Sequence, residues 1–434
     1  IEKEENPEEK LEMPRSGEAL FLEELGKAAE GEMNPLFEEL YRWYAAHPEA
    51  GIPAETYRKA AFLRCADGVI GRSAALALYG DTLKNSATRL EKYAACAFAH
   101  FMEFGLQIRE RDQYELKAAD MGTVMHEALE KFSKKLQENG ETWKTVTDDT
   151  RDRLIEECVE ETMADYGNTI FQSSSRNQYR VIRVKRILKR TVWALQQQIR
   201  QGEFEPGEFE VSFSMEDSLS AINIELSEHE KMRLRGRIDR VDLCETDDKV
   251  YVKIIDYKTG NTSLDLVALY YGLQLQLAVY LDAAVELEQK KHPGKLVEPA
   301  GVFYYHIDDP ILDQEEDETD EAWGRRMLKA LRMDGLVNAD RKVVELLDRV
   351  LEDGTTSDVI PVGKKKDGSY TGYSKVASSE QFDVIRTYTR KKVREIGEGI
   401  FSGNVKISPF QRDGATACAY CEYQGICGFD QKIQ

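Results

Sequence analysis

Apolar residues recur along this chain with two different spacings, and the switches between them outline its elements. Helical spacing marks 19–29 and 35–46. After Asn85 comes another helix carrying Leu90, Tyr93, Cys96, Phe98 and Phe101; Ser86 or Thr88 can cap it, and Thr88 with Glu91 fits a capping box. The stretch 120–139 carries Val124, Met125, Ala128, Leu129, Phe132 and Leu136 on one stripe. Further helices are predicted over 148–168, 176–202, 264–288, 322–352 and 377–402. Runs rich in β-branched and aromatic residues predict strands at 208–213, 233–245, 249–257 and 301–306. A turn of Glu245, Thr246, Asp247 and Asp248 joins the middle two into a hairpin. The order helix, strands, helix, strand predicts an α/β fold, a mixed sheet flanked by helices. Residues 1–84 read as a separate helical segment and 85–434 as the main domain.

The hairpin carries the first candidate chemistry. Asp256 and Lys258 are two residues apart, so on a strand they share a face. Such a pair is most often a surface pair. Here, however, Asp256 ends the apolar run Val250-Tyr251-Val252-Lys253-Ile254-Ile255. With Asp239 on the neighbouring strand, it can hold a hard divalent cation through oxygen. The Lys258 ammonium can favour ionisation of a nearby water. That combination suits phosphodiester hydrolysis. His126 lies one helical turn before Glu130; a lone helix histidine is commonly structural, but this hairpin offers it a metal to bind.

Charge refines the picture. The 434 residues carry a net charge of -20, which argues against a generally basic nucleic-acid binder but leaves room for a local basic groove. The acidity is concentrated at 2–9 and at 313–321, where seven of nine residues are carboxylates. Against that background, Arg180, Arg183, Arg186, Lys189 and Arg190 on one side of the 176–202 helix read as a phosphate track. No run of 18 apolar residues, no signal pattern and no Gly-x4-Gly-Lys-Ser/Thr loop occurs. Ile1 in place of a start methionine predicts a piece of a longer protein. Of seven cysteines, three form Cys418-x2-Cys421-x5-Cys427, a spacing that points to a metal and by itself suits zinc or an iron–sulfur cluster.

These pieces together resemble the RecB-family branch of the PD-(D/E)xK nucleases over about 84–430. The resemblance rests on His126 in Gly-x3-His-Glu, Asp239 in Gly-Arg-Ile-Asp-Arg-Val-Asp, Asp256-Tyr257-Lys258, Gln276-x3-Tyr280 and the cysteines. It implies a restriction-endonuclease-like core. It also implies that Asp239, Asp256 and His126 bind Mg²⁺ or Mn²⁺, helped by the Tyr257 carbonyl, and that Lys258 positions or activates water. Gln276 and Tyr280 would contact the DNA backbone beside them. Cys96 would join Cys418, Cys421 and Cys427 around a four-iron, four-sulfur cluster that staples the two ends of the domain, with zinc the lesser alternative. Single-stranded DNA threaded from a helicase-nuclease partner in a heterodimer, end processing for recombinational repair, a cytoplasmic location and no membrane association follow from the same resemblance. Residues 1–84 would be the tail of a preceding helicase-like region. Two departures are visible: Cys96-Ala97-Phe98 where the family often has Cys-Pro-Phe, and Ile238 where the eponymous Pro would stand. Neither removes a reactive group. The competing readings are a non-catalytic DNA-end-binding module and a standalone CRISPR-associated iron–sulfur nuclease of the same superfamily.

Overall fold

The computed structural model describes residues 20–429, except 23, 26, 28–33, 48, 50–53, 62–67, 110, 112–115, 167–170, 172–173, 214–218, 221, 228 and 314–317. The acidic stretch at 2–9, Cys65 and part of the acidic stretch at 313–321 therefore lie outside the described residues. The chain forms two compact units, 1–68 and 69–434. In the first, α1 (Pro35–Ala46) starts at Asn34, whose side chain accepts from Leu36 N, with Pro35 in the first turn. Together with α2 (Ala54–Ala61), it contributes to a small core of Phe21, Leu25, Phe37 and Tyr57.

The second unit begins earlier than the expected change at 84/85. Helix α3 (Arg72–Tyr79) and strand β1 (Thr82–Asn85) belong to it. Next come α4 (Ala87–Ala95) and α5 (Ala97–His100), where one helix was expected. Cys96 interrupts them in extended backbone, φ −166°, and a π-helical turn at Phe101–Gly105 follows. Three long helices come after: α6 (Ala118–Glu138), α7 (Asp148–Asp165) and α8 (Ser175–Gln201).

A mixed six-stranded sheet lies at the centre. Its order is β2 (Glu205–Phe213), β5 (Gly236–Glu245), β6 (Lys249–Lys258), β7 (Leu296–His306), β8 (Asp334–Asn338) and β9 (Val376–Ala377). The β6–β7 and β8–β9 pairs are parallel and the others antiparallel. The intervening strands β3 (Asn223–Glu225) and β4 (Lys231–Leu234) form a small second sheet with β1.

The period of two explains how β6 serves two cores. Tyr251, Ile255 and Tyr257 pack in the layer with α6, α7 and α8. Val250, Val252 and Ile254 pack in the opposite layer with α10 (Gln276–Lys291) and α13 (Ser379–Phe401). A strand covered on both faces reads as a continuous apolar run. The alternation leaves Asp256 and Lys258 on the α10 side.

Two expected helices are divided. Over 264–288, α9 (Leu266–Tyr271) ends at Gly272, whose φ of +84° is the left-handed conformation that favours glycine, before α10 begins. Over 322–352, α11 (Asp320–Ala330) and α12 (Arg341–Leu347) flank β8. Gly335 lets β8 approach β7 closely: a Cβ there would stand 2.0 Å from the Val302 carbonyl oxygen. A five-residue buried strand inside apolar helical patterning carries no period of its own. No described helix is long and apolar enough to cross a membrane.

Candidate active site

The site forms where β5 and β6 leave their shared ladder. Their paired register begins at Arg240 and Ile255. Beyond it, Tyr257 N donates to Asp239 Oδ2 at 2.7 Å, so a side chain takes the place of a strand partner. The Tyr257 backbone thus lies beside Asp239, while its ring enters the α6–α8 layer. His126 on α6 reaches Asp239, with Nδ1 3.4 Å from Oδ1. Across the β2–β5 pair, Phe209 and Val211 register with Arg240 and Ile238, so Glu210 stands opposite Asp239. His126, Glu210 and Asp239 place their donor atoms within 4.8 Å of one another.

Lys258 is held from two directions. Its Nζ lies 2.6 Å from Asp256 Oδ2 and donates to Gln276 Oε1 at 2.9 Å. The Gln276 amide then donates from Nε2 to the Tyr280 hydroxyl at 3.2 Å. Tyr280 is buried, so its hydroxyl orients Gln276 and does not reach outward. Glu91, from α4, accepts from Leu275 N and Gln276 N at 2.7 and 3.0 Å, fixing the start of α10. This carboxylate satisfies orphan N–H groups of a helix terminus.

The electrostatics are unbalanced toward negative charge. Burial pushes Asp256 up to about 6, and Asp239 adds to the rise, against Lys258. Burial and then Asp239 push Glu210 up to about 7, although Arg237 contacts it. For His126, burial opposes protonation; the hydrogen bond and charge of Asp239 overcome it and raise the imidazole. Asp256 Oδ2 and Glu210 Oε2 are buried atoms with a cation close by but no well-directed hydrogen bond. Crowded carboxylates and two such oxygens fit a bound cation, whose charge would draw Asp256 and Glu210 back to the ionised form. Oxygen donors with one imidazole suit Mg²⁺ or Mn²⁺ more than zinc, for which sulfur and nitrogen donors predominate.

Glu210 was not singled out from sequence, and Glu91 was read only as the partner of Thr88 in a capping box; Ser86 caps that helix instead, accepting from Arg89 N, and Glu91 serves α10. Glu210 is one of three similar glutamates in β2, and nothing in their spacing distinguishes it from Glu205 or Glu208. Its backbone does: φ is +51°, in the left-handed region that non-glycine residues occupy uncommonly, shared here with Gln107 and Asp413. Glu91 acts across 184 residues of sequence, and no local pattern reports such a contact.

The basic helix divides in two. Lys189 pairs with Glu156 on α7, Arg186 lies 2.7 Å from Asp309, and Arg190 sits 4.8 Å over the Trp323 ring. These three are engaged within the chain. Arg183 lines a groove beside Thr259, next in sequence to Lys258, together with Arg180, which donates to the Leu116 carbonyl and to Asn177 Oδ1 at 3.4 Å.

Cys96, Cys418, Cys421 and Cys427 line one cavity of about 70 Å³, closed by Phe98, Ile407, Pro409 and Phe429. Backbone bonds hold the segment there: Phe98 N donates to the Lys406 carbonyl and Phe410 N to that of Ala95. No three of these described sulfurs gather within 4.8 Å. A tetrahedral zinc site with 2.3 Å bonds holds sulfurs about 3.8 Å apart. A cluster that takes one thiolate at each iron spreads them further.

A family model described as the PD-(D/E)XK nuclease superfamily matches residues 84–428. Among curated proteins, the chain is 43% identical over 412 residues to the B subunit of an ATP-dependent helicase/deoxyribonuclease of Lachnoclostridium phytofermentans, covering 93% of this chain and 34% of that protein. The like-named proteins of Alkaliphilus metalliredigens and Clostridium tetani are 39% and 34% identical, covering 92% and 100% of this chain and 35% and 37% of their own. The chain spans about a third of the length of these relatives.

Proposed function

Because the chain belongs to the PD-(D/E)XK nuclease superfamily, we propose that it is a metal-dependent deoxyribonuclease. In our reading it is the nuclease region of an AddB-type chain, one half of an AddAB-type helicase–nuclease. It would hydrolyse single-stranded DNA delivered by an AddA-type partner during end processing. The relatives' shared name, which makes each the B subunit of an ATP-dependent helicase/deoxyribonuclease, supports the complex. The observation that carries the chemistry is the convergence of His126, Glu210 and Asp239, with the Asp256–Lys258 pair close enough for Asp239 to raise Asp256.

Asp239, Asp256, His126 and Glu210 would hold the cation, Mg²⁺ or Mn²⁺, with the Tyr257 backbone alongside. When bound, it supplies charge that neutralises the phosphoryl oxygens and activates water. Asp256 and Gln276 fix the Lys258 ammonium beside that position, so its remaining N–H can hold and orient the attacking water or a phosphoryl oxygen. Tyr280 keeps Gln276 in that orientation. Little covalent work is asked of the protein; the site supplies placement and charge. Digestion of labelled single-stranded DNA with Mg²⁺ or Mn²⁺ tests the assignment. Asp256→Asn cleaving at the wild-type rate would sink it.

The same proposal includes a four-iron, four-sulfur cluster on Cys96, Cys418, Cys421 and Cys427. The four cysteines lining one cavity, with the family resemblance, are its support. Iron and acid-labile sulfide should be present in about equal amounts, and Cys96→Ala should lower both. Zinc in place of iron would overturn this part.

A further inference from the structure

The cavity shared by Cys96, Cys418, Cys421 and Cys427 has mostly apolar walls, among them Phe98, Ala99, Ile407, Pro409 and Phe429. Among the described residues that line it, Lys92 carries the one charged side chain apart from the thiols. Its place follows from α4. Lys92 stands one turn before Cys96, whose N–H donates to the Lys92 carbonyl at 3.0 Å. The ammonium is held from two sides. Nζ lies 3.1 Å from Glu103 Oε2, on the π-helical turn that follows Cys96, and 5.8 Å from the centre of the Tyr423 ring. Tyr423 is buried in a small core against which Cys96 and Cys421 also pack. Its hydroxyl donates to the Ile108 carbonyl at 2.9 Å, which fixes the ring.

A solvated ion pair would contribute little. Here the two side chains are only 33% and 29% exposed, so water screens them partly. They also border a centre that carries its own charge. Four thiolates leave a four-iron, four-sulfur cluster net negative. Reduction by one electron adds a further negative charge and neither makes nor breaks a bond. Cluster potentials follow net charge, hydrogen bonds to sulfur and solvent exposure. Beside apolar walls that charge is weakly screened. A cation at the wall favours the reduced form, and a carboxylate that partly cancels the cation disfavours it. Lys92 and Glu103 therefore act with opposite signs on one equilibrium.

We propose that Lys92 is the counter-cation of the metal centre and raises its one-electron reduction potential, with Glu103 setting how far. The inference rests on the cluster reading and adds a tuning pair outside the four ligands. A pair that only tied α4 to the π-helical turn would lose the same contact whichever partner were removed. Both variants would then behave alike.

The chain, purified under argon with its cluster, is titrated with dithionite in the presence of redox dyes. The reduced fraction is read by electron paramagnetic resonance and visible absorbance, with iron content and melting temperature measured on each variant. Lys92→Gln should lower the reduction equilibrium constant roughly tenfold, which for one electron is about 59 mV. Glu103→Gln should raise it severalfold, and Lys92→Arg should stay close to wild type. The double variant should fall between the two single ones. Potassium chloride at about 1 M should shrink both shifts, because the pair is partly exposed. If Lys92→Gln fails to hold its iron, Glu103→Gln still decides, since it keeps the cation. Shifts of the same sign in Lys92→Gln and Glu103→Gln, or an unmoved potential in Glu103→Gln, would overturn the counter-cation while leaving the cluster in place. A wild-type chain holding zinc, or no iron, would overturn the cluster reading and this inference with it.

Discussion

The β5–β6 hairpin carries two clusters of buried charge on alternate faces, and they obey opposite rules. On the face toward α6–α8, Arg240 donates to both oxygens of Asp242 at 2.5 and 2.8 Å, and Lys253 Nζ lies 2.7 Å from the same carboxylate. The Trp143 ring covers the guanidinium at 5.4 Å. Burial pushes Asp242 up, but the two cations win and hold it below the ordinary carboxylate range. On the other face, Glu210, Asp239 and Asp256 outnumber their close cations, and burial with mutual repulsion leaves Asp256 and Glu210 raised. The first cluster holds its one carboxylate ionised between two cations, although Arg240 Nη1 is left without a hydrogen-bond partner. The second reaches that balance only with a cation added. The contrast locates function better than burial or acidity alone, since both clusters are buried and acidic.

The largest expected effect is on chemistry. Lys258→Ala and Asp256→Asn should each lower DNA cleavage by roughly 10³-fold, the scale on which positioned charge-stabilising groups act. Asp256→Asn should not unfold the metal-free protein, because it relieves carboxylate repulsion, whereas Lys258→Ala removes a counter-cation and is compared at equal folded fraction. A melting temperature that collapses in Asp256→Asn would show that the second face is structural too, erasing the contrast.

The complementary change is on the satisfied face. Asp242→Ala leaves Arg240 and Lys253 buried without their counter-ion, at a cost of about 3–5 kcal/mol. Urea unfolding should show that loss, while the folded fraction still cleaves within a few-fold of wild type. If Asp242→Ala is as stable as wild type but inactive, the two faces have been assigned the wrong way round.

Acid should separate the faces by sign. Asp256 has a native pKa raised from 3.8 to about 6, so in metal-free protein the native state binds the extra proton. Stability then falls as pH rises between about 4 and 6, by an amount on the order of 2 kcal/mol. Asp242, with a lowered pKa, contributes stability that is present above 3.8 and lost only as pH falls through its lower native value. Thermal melts in EDTA at pH 4.5 and 7 should show this slope in wild type, and a smaller one in Asp256→Asn. Saturating Mn²⁺ should cancel it by binding the folded state, about 2.7 kcal/mol of stabilisation at one hundred times the dissociation constant. Equal slopes in both proteins would remove the electrostatic basis of the comparison.

Much of this arrangement was legible in the sequence, for physical reasons. The hairpin, the helix of His126 and the face shared by Gln276 and Tyr280 follow from local periodicity and turn chemistry. That Asp239, and not Asp242, serves the open face was not legible from period alone. The ladder ends at Arg240 and Ile255, and only the fold shows Tyr257 N turning to Asp239. Strand β8 was hidden because a short buried strand between helices shares their apolar composition. The basic face of α8 was visible as composition, but its division was not. Whether Lys189 meets Glu156 or a phosphate depends on how α7 packs. Cys96 read as a stripe residue of one helix; its extended backbone between two helices places it on the cavity shared with the C-terminal cysteines.

The smallest effect tests whether a raised pKa by itself marks the functional face. Glu91 is pushed up by burial, as Asp256 is, and its carboxyl also senses Lys258. By that criterion it would belong to the unbalanced site. Its oxygen, however, already accepts two backbone N–H groups at the start of α10, and their direction and the helix dipole satisfy it. The comparison therefore places Glu91 with the completed groups, despite its distance in sequence from Asp242 and its nearness to Lys258. Glu91→Gln retains an acceptor oxygen and removes only the charge. It should cost about 0.3–1 kcal/mol of stability, the usual value of a charge at a helix N-terminus. Cleavage should change by no more than a few-fold, because Gln276 keeps its bonds to Lys258 and Tyr280. A loss of activity comparable to Asp256→Asn, at unchanged stability and unchanged strand binding, would move Glu91 into the catalytic machinery. It would also make accessibility to the cation, rather than charge balance, the property that separates the two faces.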